Sequence, residues 1–332
     1  MEIVLSGIRP TGPLHLGNYM GAVTNFVKMQ ENNRCYFFIA DYHSLTTHPL
    51  ADHLQENIKQ VLAEYLAAGI DPEKSTLYVQ SDVPETAELY LYLNMNAYVG
   101  ELERCTTYKD KVAKQQNNIN AGLLTYPTLQ AADILIQRAT KVPVGKDQEQ
   151  HLEMARNFGN RFNRMYNFEL FPEPTAYNFG EKLVKIPGLD GSGKMGKSEG
   201  ADNCLLLSDT SEALKKKIMK ALTDSGPTQM NQEKPVYIEN LFTILKAVAA
   251  PDTVEYFDEQ WKNCSIRYGD FKKQIFVDVD KFLTPIRERI SDIRADEKYL
   301  AQVAKRGAEQ ARENANATMK EVRRLIGIRS LF

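Results

Sequence analysis

Through the first 200 residues, short apolar runs alternate with stripes of helical period. EIVLS (2–6), CYFFIA (35–40), TLYVQ (76–80), KVPV (141–144) and KLVKI (182–186) read as strands. Between the second and third, Leu54, Ile58, Val61, Leu62 and Tyr65 recur at helical spacing and mark one face of a helix. Strands that are apolar throughout, separated by amphipathic helices, imply a parallel sheet covered on both faces. The expected fold is therefore α/β, a Rossmann-like doubly wound parallel sheet with ligands at the carboxyl ends of its strands. After about residue 205 the pattern changes. SDTSEALKKKIMKAL (208–222) opens with capping residues and runs on as a helix, and 285–327 is helix-compatible almost throughout. Leu300, Val303, Ala304, Ala311, Ala315, Val322 and Leu325 form the inward stripe of the last stretch. Two domains are expected: an α/β domain over 1–204 and an all-helical domain over 205–332, the last helix packing back on the first.

Composition narrows the class without naming it. With 43% hydrophobic and 25% charged residues and a net charge of −2, the chain is neither disordered nor strongly basic. Beyond residue 205, Lys and Arg only slightly outnumber Asp and Glu, a weak hint of a polyanion partner. The apolar run in MEIVLSGIRPTG is too short for a signal peptide or a membrane span, so a cytoplasmic protein with no membrane partner is expected. Cys35, Cys105, Cys204 and Cys264 lie far apart with no C-x-x-C pair, which argues against zinc, an iron–sulfur site or a disulfide framework.

Two stretches suit phosphate. GLDGSGKMGKSEG (188–200) contains, from Gly191 to Ser198, a full match to G-x-x-x-x-G-K-[ST]. In a true P-loop the backbone N–H groups wrap phosphates and a helix starts at the Lys-Ser. Here Ser198 runs into EGADN, where Gly200 and Asn203 break a helix, and the next cap candidates are Ser208–Ser211. The stretch is read as a flexible Gly/Lys loop that meets phosphate by another geometry. A P-loop NTPase or kinase using 191–198 is the alternative from a different class, and an ordinary surface loop is the plain one. The second stretch, SGIRPTGPLHLGNYMGA (6–22), delivers His15, Leu16, Gly17 and Asn18 to the start of a helix carrying Met20, Val23 and Val27 on one face. Orphan N–H groups and the helix dipole favour an anion there. Glycines 17 and 21 allow close approach, and His15 and Asn18 can donate to phosphate oxygens. A turn with a capping Asn is the plain reading of this motif.

H-x-G-x after the first strand and K-M-x-K-S after the last form the paired signature of class I aminoacyl-tRNA synthetases. The second motif is Lys194–Met195–Gly196–Lys197–Ser198, with Gly196 where that class usually has Ser. The resemblance covers essentially the whole chain. RPTGPLHLGNYMGA, ADYHSLT (40–46), GELERCTTYKDK (100–111), AGLLTYPTLQAADIL (121–135) and VPVGKDQEQHLEMARNFGNRFN (142–163) are together similar to the bacterial tryptophanyl-tRNA synthetases.

That resemblance implies ligation of L-tryptophan to tRNA(Trp), driven by ATP with Mg²⁺ as its substrate complex, in a homodimer whose helical domain reads the anticodon. No protein-ligated metal is implied. By resemblance Asp133 accepts the indole N–H, and Tyr126, Gln130 and Gln148 hold the amino group; Leu5, Gly7 and His43 complete the tryptophan site. The helix YPTLQAADIL is expected to start with Pro127 at its first position. Gln130, Asp133 and Gln137 also fit a plain solvent face, and His43 equally fits a satisfied structural histidine. Gln130, where many relatives carry Met, also suits a tyrosine enzyme, so tyrosyl-tRNA synthetase is the runner-up. ATP contacts are implied for Arg9, Pro10, Thr11, Gly17, Asn18, Gly145, Lys146, Asp147, Ile186, Lys194, Met195, Gly196, Lys197 and Ser198. Asp147 would accept from the ribose; a βα-loop cap is its plain reading. Lys146 stands where the family commonly has Glu, so only its backbone is carried over. Lys194, Lys197, Lys111, His15 and Asn18 are the candidate catalytic residues, neutralising and holding phosphate charge.

Overall fold

The computed structural model describes residues 1–114, 119–145, 148–177, 185–191, 193, 195–196 and 200–328. Among them the sheet has five parallel strands in the order β3-β2-β1-β4-β5. These are β1 (Ile3–Ile8), β2 (Arg34–Ile39), β3 (Ser75–Val79), β4 (Lys141–Val142) and β5 (Thr175–Ala176). The first four fall where the apolar runs predicted them. Most of the expected strand 182–186 lies outside the described residues, and Lys185 and Ile186 are not in a strand. β5 is instead a two-residue strand, both residues exposed, so it has no apolar run to betray it.

The helices after β1 form one run: α1 (Leu16–Asn18), a π-helical turn (Tyr19–Val23) and α2 (Thr24–Met29). After β2 come α3 (Asp41–Ser44), a 3₁₀ turn (Leu45–Thr47) and α4 (Ala51–Ala67). After β3 a 3₁₀ turn (Gln80–Asp82) leads into α5 (Glu85–Met95), α6 (Val99–Glu103), α7 (Thr106–Lys114) and α8 (Ala121–Ile136). α9 (Glu149–Tyr166) follows β4. The remaining helices are α10 (Ser211–Met219), α11 (Val236–Val248), α12 (Pro251–Lys262), α13 (Tyr268–Ala295) and α14 (Glu297–Ile326).

Alternate residues of the strands feed two cores. Val4, Phe37 and Leu77 pack with Leu214, Phe242, Phe271 and Leu283, so one sheet face shares its core with α10, α11 and α13. Leu5, Tyr36 and Tyr78 face the other way, onto Ala131, Leu152, Phe158, Ala311 and Met319 of α8, α9 and α14. α14 also covers the β3 edge, whose unpaired backbone would otherwise invite another strand. The approach is close: a Cβ on Gly307 would lie 1.8 Å from Leu77 O.

One expectation about α8 is corrected. The helix starts at Ala121, six residues before Pro127, which lies in its interior. Asn120 caps it, its Oδ1 accepting from Leu123 N at 3.1 Å. Proline removes one hydrogen bond from a helix interior. Here burial of Leu123, Tyr126, Thr128, Ala131 and Ile134 on the same helix outweighs that loss.

Candidate active site

The strand order reverses between β1 and β4, so the crevice at their carboxyl ends is where a doubly wound sheet takes its ligand. A cleft of about 360 Å³ lies there. β1 and the turn after it supply Leu5, Ser6, Gly7 and Arg9, and His43 comes from α3. The stretch following β4 supplies Pro143, Val144 and Gln148, while Tyr126, Gln130, Asp133 and Ile134 descend from α8. Gly7 keeps the cleft open: a Cβ on it would sit 2.4–2.7 Å from the Phe38 ring.

Asp133 is the buried charge of the site, 2% exposed. Gln80 Nε2 donates to its Oδ1 at 2.7 Å and Oδ2 at 2.9 Å, and His43 Nε2 lies 3.0 Å from Oδ2. Burial pushes the Asp133 carboxyl up from the usual range, and the His43 and Gln80 contacts pull the other way. A carboxylate offers about four lone-pair directions, so this one retains capacity for a ligand N–H. The plain solvent-face reading of the Gln130–Asp133–Gln137 spacing fails. Gln137 is fully buried and bonds Ala311 O at 3.2 Å, anchoring α14.

A second polar cluster surrounds His151 on α9. Its Nδ1 lies 2.7 Å from Gln148 Oε1, and its Nε2 lies 2.9 Å from Tyr126 Oη and 2.8 Å from Thr107 Oγ1. Tyr126 and Thr107 hydroxyls also bond each other. Cys105 Sγ lies 3.4 Å from His151 Nε2. Burial alone would raise this thiol, but bonds from His151, Thr107 and the Tyr108 N–H outweigh it and bring it down to about 6. Burial also raises Tyr126, which therefore stays protonated. Lys111 Nζ lies 3.9 Å from the Tyr126 ring centroid; burial and the Arg9 charge pull its pKa down. Arg9 and Lys111 both line the cleft and bring positive charge to it.

The two signature segments meet. Met195, 1% exposed, is fixed by its N–H donating to Ile186 O at 3.0 Å, and a Cβ on Gly17 would lie 3.4 Å from Met195 Cβ. Leu16 N donates to Leu205 O and Leu207 N to Leu14 O, at 2.8 and 2.9 Å, binding the end of the glycine loop to the turn. The turn itself is self-capped. Asn18 N donates to His15 Nδ1 and His15 N to Asn18 Oδ1, each at 3.1 Å. The helix start thus offers an anion fewer orphan N–H groups than expected. With Nδ1 accepting, the neutral His15 ring carries its proton on Nε2, as a phosphate donor requires. The P-loop alternative fails at Gly200, whose φ of 113° and ψ of 150° stop a helix begun at Lys197–Ser198. Among the described residues beyond it, only a three-residue 3₁₀ turn intervenes before α10.

Leu5, Gly7, Arg9, His43, Lys111, Tyr126, Gln130, Asp133 and Gln148 therefore share one cleft. Pro10, Thr11, Gly145 and Ile186 do not line it; Pro10 and Ile186 are buried, and Gly145 O accepts from Gln148 N at 2.9 Å. Lys146, Asp147, Lys194, Lys197 and Ser198 lie outside the described residues. Sequence reading missed Gln80, Thr107, Cys105 and His151. His151 sits within the resembling stretch 142–163 and could have been found there; Gln80 gave no signal beyond ending an apolar run.

The chain is similar to known proteins over nearly its whole length. The family tRNA synthetases class I (W and Y) matches residues 2–284. A tryptophan–tRNA ligase of Porphyromonas gingivalis is 60% identical over 329 residues, 99% of this chain and 100% of its own length. One from Clostridium perfringens is 41% identical over 334 residues, covering 98% of each chain. The crystal structure of tryptophanyl-tRNA synthetase from Campylobacter jejuni, complexed with ADP and tryptophan, superposes with a TM-score of 0.88 at 35% identity, over 98% of this chain and 99% of that one.

Proposed function

The chain belongs to the class I tRNA synthetases for tryptophan and tyrosine, and from that premise we infer that it is a tryptophan–tRNA ligase. One observation of geometry carries the reading: a buried carboxylate, held by two donors, lines a cleft that also contains two cations. Such a carboxylate suits an indole N–H and is left unpaired by a phenyl ring, a mismatch worth roughly 10⁴–10⁵ in selectivity. Tyr126, Gln130 and Gln148 hold the substrate ammonium group.

In the first step the tryptophan carboxylate attacks the α-phosphate of ATP and pyrophosphate leaves. That carboxylate is already ionised near neutral pH, so the step needs no general base. Positioning, and neutralisation of charge growing on the pyrophosphate, supply the rate. Lys194, Lys197 and Lys111 are the groups for that charge, and His15 and Asn18 hold phosphate on the other side. The packing of Met195 on Gly17 supports this pairing of the two motifs. The magnesium ion enters with ATP as part of the substrate. In the second step the tryptophanyl group passes to the 2′-hydroxyl of the terminal adenosine of tRNA(Trp).

Residues 1–204 serve as the catalytic domain, and 205–332 read the anticodon. Leu91 and Met95 of α5, Tyr98 at the cap of α6 and Val99 at its start are 48%, 75%, 66% and 60% exposed. Such a cluster of large apolar side chains suits a subunit contact. We assign it to a homodimer, and a sedimentation experiment in which Met95→Glu leaves the mass unchanged would refute that. No helix among the described residues is long and apolar enough to cross a membrane, and a cytoplasmic site of action fits the reaction. The decisive assay is amino-acid-dependent ATP–pyrophosphate exchange. Exchange is expected with tryptophan and not with tyrosine; exchange with tyrosine alone, or ATP turnover without amino acid, sinks the reading.

A further inference from the structure

Gln80, the first residue after β3, is 1% exposed and does not line the cleft. Among the described residues, Asp133 Oδ2 has two donors, Gln80 Nε2 at 2.9 Å and His43 Nε2 at 3.0 Å. Oδ1 has one, Gln80 Nε2 at 2.7 Å. Oδ1 is therefore the oxygen with room for a donor from a ligand. The other half of the Gln80 amide is in an unusual state: Oε1 is buried and no described residue donates to it. A buried carbonyl without a donor is costly and calls for an explanation. Turning the amide over would set Oε1 against a carboxylate, oxygen against oxygen, which is worse. Gln80 is kept for its NH₂, although its carbonyl goes unpaired.

We propose that Gln80 is a positioning residue for substrate selectivity, fixing the Asp133 carboxylate in the rotation that presents Oδ1 to a ring N–H. The proposal rests on the reading of Asp133 as the indole acceptor. Gln80, directly after β3, and His43, on the short helix α3 that follows β2, grip the carboxylate from two elements other than its own helix. Gln80 stands behind Asp133, so its influence on the substrate passes through that carboxylate. It falls on the part of recognition that depends on the ring N–H.

The test is ATP–pyrophosphate exchange by the full-length enzyme with tryptophan and with its benzothienyl isostere, in which sulfur replaces the ring N–H. In Gln80→Leu, kcat/KM for tryptophan is expected to fall about 10- to 100-fold, mostly through KM, while the isostere changes by less than about threefold. The preference for tryptophan over the isostere collapses accordingly. Gln80→Met, unbranched and closer in length, is measured beside it, so that a folding defect in one variant does not decide the matter. Equal losses on both substrates in the two variants, or an unchanged preference, overturn the proposal, because a purely structural role lowers both substrates alike. Asp133→Asn separates this from the reading beneath it. If Asp133→Asn leaves the preference at the wild-type value, Asp133 is not the indole acceptor and both claims fall. If Asp133→Asn abolishes the preference and the Gln80 variants do not, only the Gln80 proposal falls.

Discussion

Asp133 and Met195 are almost equally buried, 2% and 1% exposed, yet they are held by different kinds of contact. Asp133 is fixed by side chains from Gln80 and His43, 53 and 90 positions away in sequence. Met195 is fixed through the backbone, by its N–H on Ile186 O, and by packing against a glycine. Donors set on two separate elements, α3 and the turn after β3, fix the acceptor's orientation, which suits the proposed choice of amino acid. A backbone anchor at Met195 sets where the segment carrying the proposed lysines enters the site, which suits charge that appears only during reaction. The amino-acid side should therefore respond to substitution in binding and selectivity, and the phosphate side in rate.

The sharpest way to break that division is Asp133→Asn. The donors around Oδ2 would hold the amide oxygen there and turn NH₂ toward both Gln80 and the ring N–H, donor against donor. Tryptophan activation is expected to fall roughly 10³- to 10⁴-fold in kcat/KM, with KM for ATP nearly unchanged. A comparable rise in KM for ATP would show that the two sides are not separable. Lys197→Ala tests the other side. Loss of one positioned cation should lower kcat for adenylate formation about 10²- to 10³-fold while equilibrium dialysis finds tryptophan binding intact. Equal loss of both would remove the transition-state role.

The same contrast explains what could be read in advance. Four strands were visible because a doubly covered parallel strand carries a continuous apolar run, as Cys35–Ile39 of β2 and Leu77–Val79 of β3 do. The paired signature was legible because its glycines and lysines stand at fixed spacing in contiguous sequence. Gln80, Thr107 and His151 were not, because their function comes from meeting residues on other elements. Pro127 misled for a local reason: proline suits a helix start, but the cap that begins α8 is Asn120. The π-helical turn at Tyr19–Val23 left no trace in the spacing of Met20, Val23 and Val27.

Gly307→Ala asks whether the amino-acid side depends on its scaffold. Alanine gains up to about 1 kcal/mol in helix propensity. The added Cβ would meet Leu77 O at 1.8 Å, a backbone atom that yields only if α14 or β3 shifts. The clash wins, and a net loss of about 1–3 kcal/mol is expected, read as a lower Tm in thermal unfolding. Because β3 leads directly into Gln80, the residual defect should raise KM for tryptophan more than KM for ATP. An unaltered tryptophan KM beside a lowered Tm would mean that the acceptor is braced independently of the β3 edge.

Gly196→Ser is expected to be the mildest change, and it probes how the phosphate side works. Serine is the usual residue at this place in the class I signature, so the change is expected to be tolerated. Glycine has more backbone freedom to lose when the loop orders around phosphate, an entropic difference of roughly 0.5–1 kcal/mol. Serine should therefore leave kcat within about threefold of wild type, on the faster side if loop ordering limits the step. KM for tryptophan should not move, since Asp133 and its partners lie on other elements. Abolished activity would mean that the glycine itself is required, as it would be if backbone N–H groups of 191–198 wrapped the phosphates. That outcome would reopen the cradle geometry that the backbone at Gly200 argues against. Comparing single-turnover adenylate formation in Gly196→Ser, Lys197→Ala and the double variant tests this further. If the lysine acts as a charge delivered by an ordering loop, serine's gain should disappear once the lysine is gone.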